Sequence, residues 1–236
     1  MMLNRAICCL VLLMGTASLF AQWGSNSDKN RIEENRKVGN FDAVGVGYGI
    51  DLHLYQSNKT SVSVKADKEV MEHIVTEVKN GTLEIKMDSW NRKNKGRIDV
   101  TIYVPNLRAI SASGGSDVYG KTDWKFDDIK VSLSGGSDFE MELTAQHIHC
   151  NASGGSDIDI SGMAASIDIN CSGGSDVSGK NFKVKECKAN ASGGSDIEIY
   201  VTESIQANAS GASDITYKGD PKKVKVRSSG SSDISN

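Results

Sequence analysis

The pentapeptide Ser-Gly-Gly-Ser-Asp occurs at 113–117, 134–138, 153–157, 172–176 and 192–196, followed by Ser-Gly-Ala-Ser-Asp at 210–214 and Ser-Gly-Ser-Ser-Asp at 229–233. Successive copies lie 18 to 21 residues apart. A unit of that length cannot enclose a core of its own, so it must bury its apolar side against its neighbours. Repeats that do so in register form a solenoid.

Aligned on the first serine of each copy, the chain alternates strictly. Five residues earlier stand Arg108, Ile129, Ile148, Ile167, Cys187, Ile205 and Val224; three earlier, Ile110, Val131, Cys150, Ile169, Ala189, Ala207 and Val226. The residues between are polar, as in Asn151, Asn170, Asn190 and Asn208. A period of two belongs to a strand with one buried face. Alternation resumes after each aspartate with Val118, Phe139, Ile158, Val177, Ile197, Ile215 and Ile234, so each coil holds at least two strands. The glycines make the corner between them, because glycine tolerates the positive φ of a tight bend. The expectation is an all-β chain, a single-stranded right-handed parallel β-helix with coils about 4.8 Å apart.

The amino-terminal third lacks this rhythm. Gly47-Tyr48-Gly49-Ile50-Asp51 reads as a degenerate first corner. From Asp67 to Val78 the apolar residues Val70, Met71, Ile74, Val75 and Val78 have helical spacing, with Asp67 as N-cap. Asn80-Gly81 predicts a hairpin turn before a strand from Thr82 to Met87; a polar basic loop covers 89–96, and Ile98 to Val104 alternates as another strand. The predicted organisation is a flexible linker at 22–37, a helix-containing capping insert over 38–110, and seven regular coils over 111–236. An insert of this kind would cover the unpaired backbone at the end of the stack.

Met1 to Ala21 has the form of an export signal: Arg5, an apolar run from Ile7 to Leu13, and small residues at Ser18 and Ala21. The product is expected to be exported, to the periplasm, the outer-membrane surface or the extracellular space. The rest of the chain has no apolar run long enough for a membrane-spanning helix. Its interleaved charges, net -3 for the whole sequence, offer no basic footprint for nucleic acid.

Three segments together, Phe41-Asp42-Ala43-Val44 leading into Gly49-Ile50-Asp51-Leu52, then Ile74 to Val78 with Asn80-Gly81-Thr82-Leu83-Glu84-Ile85, then the repeated pentapeptides, resemble the autotransporter adhesin head-GIN-domain family. The resemblance covers residues 38–236. It implies a β-helix, an envelope location in Gram-negative bacteria and an adhesin-like role, and it supplies no catalytic residue.

The candidate site in the repeats is the column Asp117, Asp138, Asp157, Asp176, Asp196, Asp214 and Asp233. Unit charges about 4.8 Å apart repel by roughly 1 kcal/mol per neighbouring pair even at the dielectric of water, so something must compensate. One reading is a line of Ca²⁺ ions on the carboxylates. The other, simpler one has each carboxylate accept hydrogen bonds from backbone N–H groups and serine hydroxyls of its own turn, with no cofactor. A carboxylate repeated identically along a rod singles out no catalytic position, which argues against an enzyme, including a carbohydrate-active one of the β-helix type.

His147 and His149, two apart on the outward side, lack an evident third metal ligand. Cys150, Cys171 and Cys187 fall at inward offsets that do not face one another, and are expected as reduced core residues. Asn151, Asn190 and Asn208 match the glycosylation sequon but read as rungs of an asparagine ladder. Trp90 in the basic loop with Arg92, Lys93, Lys95 and Arg97 reads either as an exposed contact or, more simply, as part of a solvated insert loop; Trp23 and Trp124 lie far from it in sequence. The reading that results is a non-enzymatic envelope scaffold that binds a cell-surface component or glycan, with a cation-stabilised scaffold as the alternative, and with homo-oligomerisation through the last coil.

Overall fold

The protein is described by a computed structural model that covers residues 30–88 and 96–236. The expected leader, Trp23, and the loop residues Trp90, Arg92, Lys93 and Lys95 lie outside the described residues. The chain winds into stacked coils whose equivalent strands pair in parallel. Asp138–Gly154 pairs in parallel with Asp157–Gly173, and that strand with Asp176–Gly193, one coil beside the next. The register sets Asp138 opposite Asp157 and Asp157 opposite Asp176. This is the β-helix that the alternation predicts.

The inward columns form a single core. Ile129, Ile148, Ile167, Cys187 and Ile205 stack with at most 5% exposure, and Val131, Cys150, Ile169, Ala189 and Ala207 form the next column. Full burial of an aliphatic side chain contributes roughly 1.5–3 kcal/mol. Only the stacking of coils provides it, since each column residue is covered by the coils on either side. The last coil shows the converse. Val224 and Val226 lie opposite Ile205 and Ala207 but remain 49% and 43% exposed, because the strand Lys223–Gly230 pairs on one side only.

The coil is longer than the two strands that the pattern requires. After the aspartate strand the chain bends into a third side, where Trp124 pairs with Leu143, Ala145 with Ala164, and Ala164 with Val184. Trp124 and Phe126 fill the core there, with rings stacked 5.2 Å apart.

The amino-terminal third adds two coils in an order the sequence does not follow. Ala43–Val46 and Ile50–Gln56 lie between the coil of Ala109–Ser113 and Val118–Gly120 on one side and the coil of Thr82–Met87 and Ile98–Val104 on the other. Antiparallel strands lie beyond that outermost coil: Ile74–Lys79 against Thr82–Met87, and Ser61–Asp67 against Ile98–Val104.

Two expectations are corrected here. The helix expected from Asp67 to Val78 is a single turn, Lys68–Met71, and Asp67 makes no side-chain capping bond. Ile74 to Lys79 is instead strand, because the turn at Asn80 and Gly81, with φ of 51° and 77°, folds it onto Thr82–Met87 as a hairpin. Part of the expected flexible linker, Arg31–Arg36, is also a strand, paired antiparallel with Ser61–Asp67.

Candidate functional site

The pentapeptide corner positions everything on the outer surface. Its first glycine has φ near 84° at Gly154, Gly173 and Gly193 and packs directly on the corner of the preceding coil. The second serine turns inward: Ser116, Ser137, Ser156, Ser175, Ser195 and Ser213 are all 0% exposed. Its hydroxyl donates to the carbonyl of the first serine three residues earlier, for example Ser156 Oγ to Ser153 O at 3.0 Å and Ser195 Oγ to Ser192 O at 2.8 Å. The interior of the corner is thus polar and internally satisfied.

The aspartates stack as the repeat predicts, and the column continues past Asp117 to Asp51 and Asp99, which the pentapeptide does not mark. Their main hydrogen-bond partner is the next coil. Asp138 N–H donates to Asp117 Oδ1 at 3.3 Å, Asp196 N–H to Asp176 Oδ1 at 3.1 Å, and Asp233 N–H to Asp214 Oδ1 at 3.0 Å. Partial burial and the neighbouring charges of Asp117 and Asp157 push the Asp138 carboxyl above its usual range, against a backbone bond from Asp157. Among the described residues, no group of three or more His, Cys, Asp or Glu side chains is arranged to hold a metal ion.

At the amino-terminal end the column is held by side chains. Arg97 lies between Asp51 and Asp99, His53 Nε2 is 3.0 Å from Asp99 Oδ1, and Arg31 bonds the same carboxylate. Burial alone would raise the Asp99 pKa, but the bonds with His53 and Arg31 and the charge of Arg97 hold it below the usual value. Asp51 is raised, by burial and by Asp99 and Asp117 acting against Arg97. Sequence reading assigned His53 no role; its partner Asp99 comes from a segment 46 residues away, and no local motif marks the pair.

The adjoining strand carries a different surface. Asn151, Asn170, Asn190 and Asn208 form a ladder in which each amide Nδ2 donates to Oδ1 of the preceding rung, at 3.2, 3.0 and 2.9 Å. The ladder is the floor of a groove of about 900 Å³, with Ser153, Ser172, Ser192 and Ser210 along one wall. Arg227 extends the ladder at the last coil. The other margin is the column Lys130, His149, Asp168, Lys188, Gln206 and Lys225. His147 and His149 do not converge: His147 Nδ1 lies 2.7 Å from Ser166 Oγ, and His149 Nδ1 lies 3.4 Å from Asp168 Oδ2.

The three cysteines are free and buried, and burial pushes each thiol up to about 12. Trp124 is a fully buried core residue.

Solved structures share this architecture. A Bacteroides fragilis protein described as a "putative adhesin" is 26% identical, with a TM-score of 0.84 over 89% of this chain and 98% of its own. A Parabacteroides distasonis protein described as a "putative lipid binding protein" is 21% identical, with a TM-score of 0.71 over 88% and 98%. A Parabacteroides merdae protein described as a "putative adhesin" is 16% identical, with a TM-score of 0.70 over 89% and 97%. The last two likenesses bear on fold alone. None of the curated proteins matches. Residues 40–221 match the model of the family described as "putative auto-transporter adhesin, head GIN domain", and the chain belongs to that family.

Proposed function

We propose that this chain is a non-enzymatic, exported binding protein of the cell envelope, and that its polar groove receives an extended glycan of a cell surface. The observation that carries the reading is the Asn151–Asn170–Asn190–Asn208 ladder in its groove. Each amide has two N–H donors and two acceptor lone pairs, and on the inner rungs Asn170 and Asn190 the ladder uses one of each. What remains there is one donor beside one acceptor, the pattern that sugar hydroxyls complement, and the end rungs Asn151 and Asn208 keep more. The repeat along the rod suits a polymer: one weak contact per coil sums to affinity through multivalency. The exposed Val224 and Val226 of the last coil supply a surface for end-to-end association, which would lengthen the same groove.

A glycan array probed with the wild-type chain and with Asn170→Ala/Asn190→Ala tests the reading. Retention of one or more linear glycans, weakened by about tenfold or more in the double variant, is the expected result. No retention by a wild-type chain that melts cooperatively would overturn it, as would retention that the double variant leaves unchanged. Light scattering on the same samples reports the end-to-end association.

A further inference from the structure

We infer that the ligand of the groove is an acidic linear polysaccharide, a polyuronate, whose carboxylates face the lysine margin. This rests on the reading of the groove as a glycan site and narrows its chemistry.

The argument is the distribution of charge beside the ladder. Lys130, Asn151, Asn170, Lys188 and Asn190 line one recess together with His149 and Asp168, so the lysines and the amides address the same space. Among the described residues, Lys130, Lys188, Lys225 and Arg227 have no ion-pair partner, whereas Lys180 and Lys218 on another face are both paired with Glu198. The one acid in the margin, Asp168, lies beside His149 at 3.4 Å. The aspartate column stands on the other strand of the coil, beyond the pentapeptide corner. The groove margin is therefore the cationic side of a mildly acidic rod.

Spacing selects the polymer. Rungs recur at about 4.8 Å, close to the repeat of an extended β-1,4-linked pyranose chain, so one sugar can meet one amide rung. In the two-fold form of such a chain, successive C5 substituents point to opposite edges. Carboxylates on one edge then recur every second sugar. Lys188 and Lys225 are two rungs apart, about 10 Å, and meet that spacing; Lys130, three rungs from Lys188, is out of phase with it and adds only charge. A single-stranded nucleic acid would also bring anions, but it requires aromatic platforms for its bases, and no aromatic side chain lines the ladder groove.

β-1,4-Mannuronate and β-1,4-mannan hexasaccharides differ in the C5 substituent, carboxylate against hydroxymethyl, and make a matched pair of probes for calorimetry on the full mature chain. The expected result is binding of the mannuronate at least about tenfold tighter than the mannan. Lys188→Gln and Arg227→Gln, both surface changes, should bring the two affinities together without lowering the melting temperature. Equal affinities in the wild type would overturn this inference and leave the glycan reading standing. Binding of neither probe or of any glycan on the array would overturn both. Polyglutamate or oligothymidylate binding as tightly as the mannuronate would overturn the inference by reducing it to bulk charge.

Discussion

Asp51 and Asp99 stand opposite one another in adjacent coils, and Arg97 joins them, with Nε 3.0 Å from Asp51 and an Nη 2.9 Å from Asp99. The same column of like charges is thus managed in two ways. Where the pentapeptide is intact, backbone N–H groups of the next coil meet the carboxylates. Where the corner reads Gly96-Arg97-Ile98-Asp99 in place of the pentapeptide, cationic side chains take over, and Arg31 ties the outermost strand into the arrangement. A backbone amide is available at every coil and costs no side-chain entropy, which suits an indefinitely repeated corner. A guanidinium suits an end.

Arg31→Met keeps the aliphatic stem and removes the charge from Asp99, whose side chain is only 13% exposed. The expected loss is about 2–3 kcal/mol, the usual scale for a partly buried bond to a charged group. In the wild type the depressed Asp99 pKa contributes stability that is present above its unfolded value of 3.8 and lost as pH falls through the lower folded value. Acid titration of the melting temperature should show that loss in the wild type and a smaller one in the variant.

Replacing Gly193 and Gly194 in turn separates two adjacent glycines. Gly193 has φ of 84°, and a Cβ there would lie 2.7 Å from the carbonyl oxygen of Gly173; at Gly194 the nearest contact is 3.8 Å. Gly193→Ala is expected to cost roughly 1–3 kcal/mol from backbone strain, with the clash in addition. Gly194→Ala should stay within about 0.5 kcal/mol. The chain already carries Ala212 and Ser231 at the tolerant position. Urea unfolding of the two variants checks the contrast.

How far the fold could be read in advance follows from which contacts repeat. The Ile129 and Asn151 columns were legible because a period near 19 residues repeats the same parity in coil after coil. The intercalation of Ala43–Val46 between Thr82–Met87 and Ala109–Ser113 was not, since that pairing joins distant segments that share no repeat. Val70, Met71, Ile74, Val75 and Val78 imitate a helix because a short turn and a following strand happen to add to helical spacing; the Asn80-Gly81 turn was the stronger signal. The inward serines were missed for a related reason. Parity from Ala152 and Ile158 does place Ser156 inward, but a serine between two glycines and an aspartate has the chemistry of an exposed turn, which hides its burial. Seven of the column aspartates were read directly, whereas the roles of Asp99 and His53 depended on stacking that no motif announces.

Ser156→Ala tests that inward serine. Its hydroxyl bonds Ser153 O at 3.0 Å and receives Ser137 N–H at 3.4 Å, with no exposure to water. The substitution leaves the buried Ser137 amide without that acceptor, while Ser153 O keeps the bond from Gly135 N–H at 3.2 Å, for an expected cost of about 1–3 kcal/mol. Ser153→Ala, at the groove wall where water can replace the hydroxyl, should cost less. Parallel thermal melts of the two variants make the comparison.

The thiols of Cys150, Cys171 and Cys187 should be silent toward an aromatic disulfide reagent at pH 8 in the folded protein. Burial raises them to about 12, so neither access nor thiolate is available. All three are expected to react at once when guanidinium unfolds the chain, measured as released chromophore. Rapid reaction of any one under native conditions would contradict the packed core.

Asp138→Asn distinguishes backbone support of the aspartate column from support by bound cations. The amide oxygen of asparagine can accept the bond from the next coil, so the corner keeps its geometry while one charge leaves a row of like charges. Removing it relieves two neighbours at up to about 1 kcal/mol each in water, less in salt. Folding raises the Asp138 pKa, so the cost of its ionisation is absent below pH about 3.8 and fully present above the raised folded value. At pH 7 and low salt the variant should therefore melt above the wild type, and the difference should shrink with added sodium chloride and vanish toward pH 3. Calcium gives the opposite sign if ions bridge the column: the wild type would gain stability from it, and the variant would melt below the wild type in its presence. The prediction is the first pattern, because the Asp117 and Asp138 carboxylates already accept from the N–H of the next coil and repulsion is what remains to be removed.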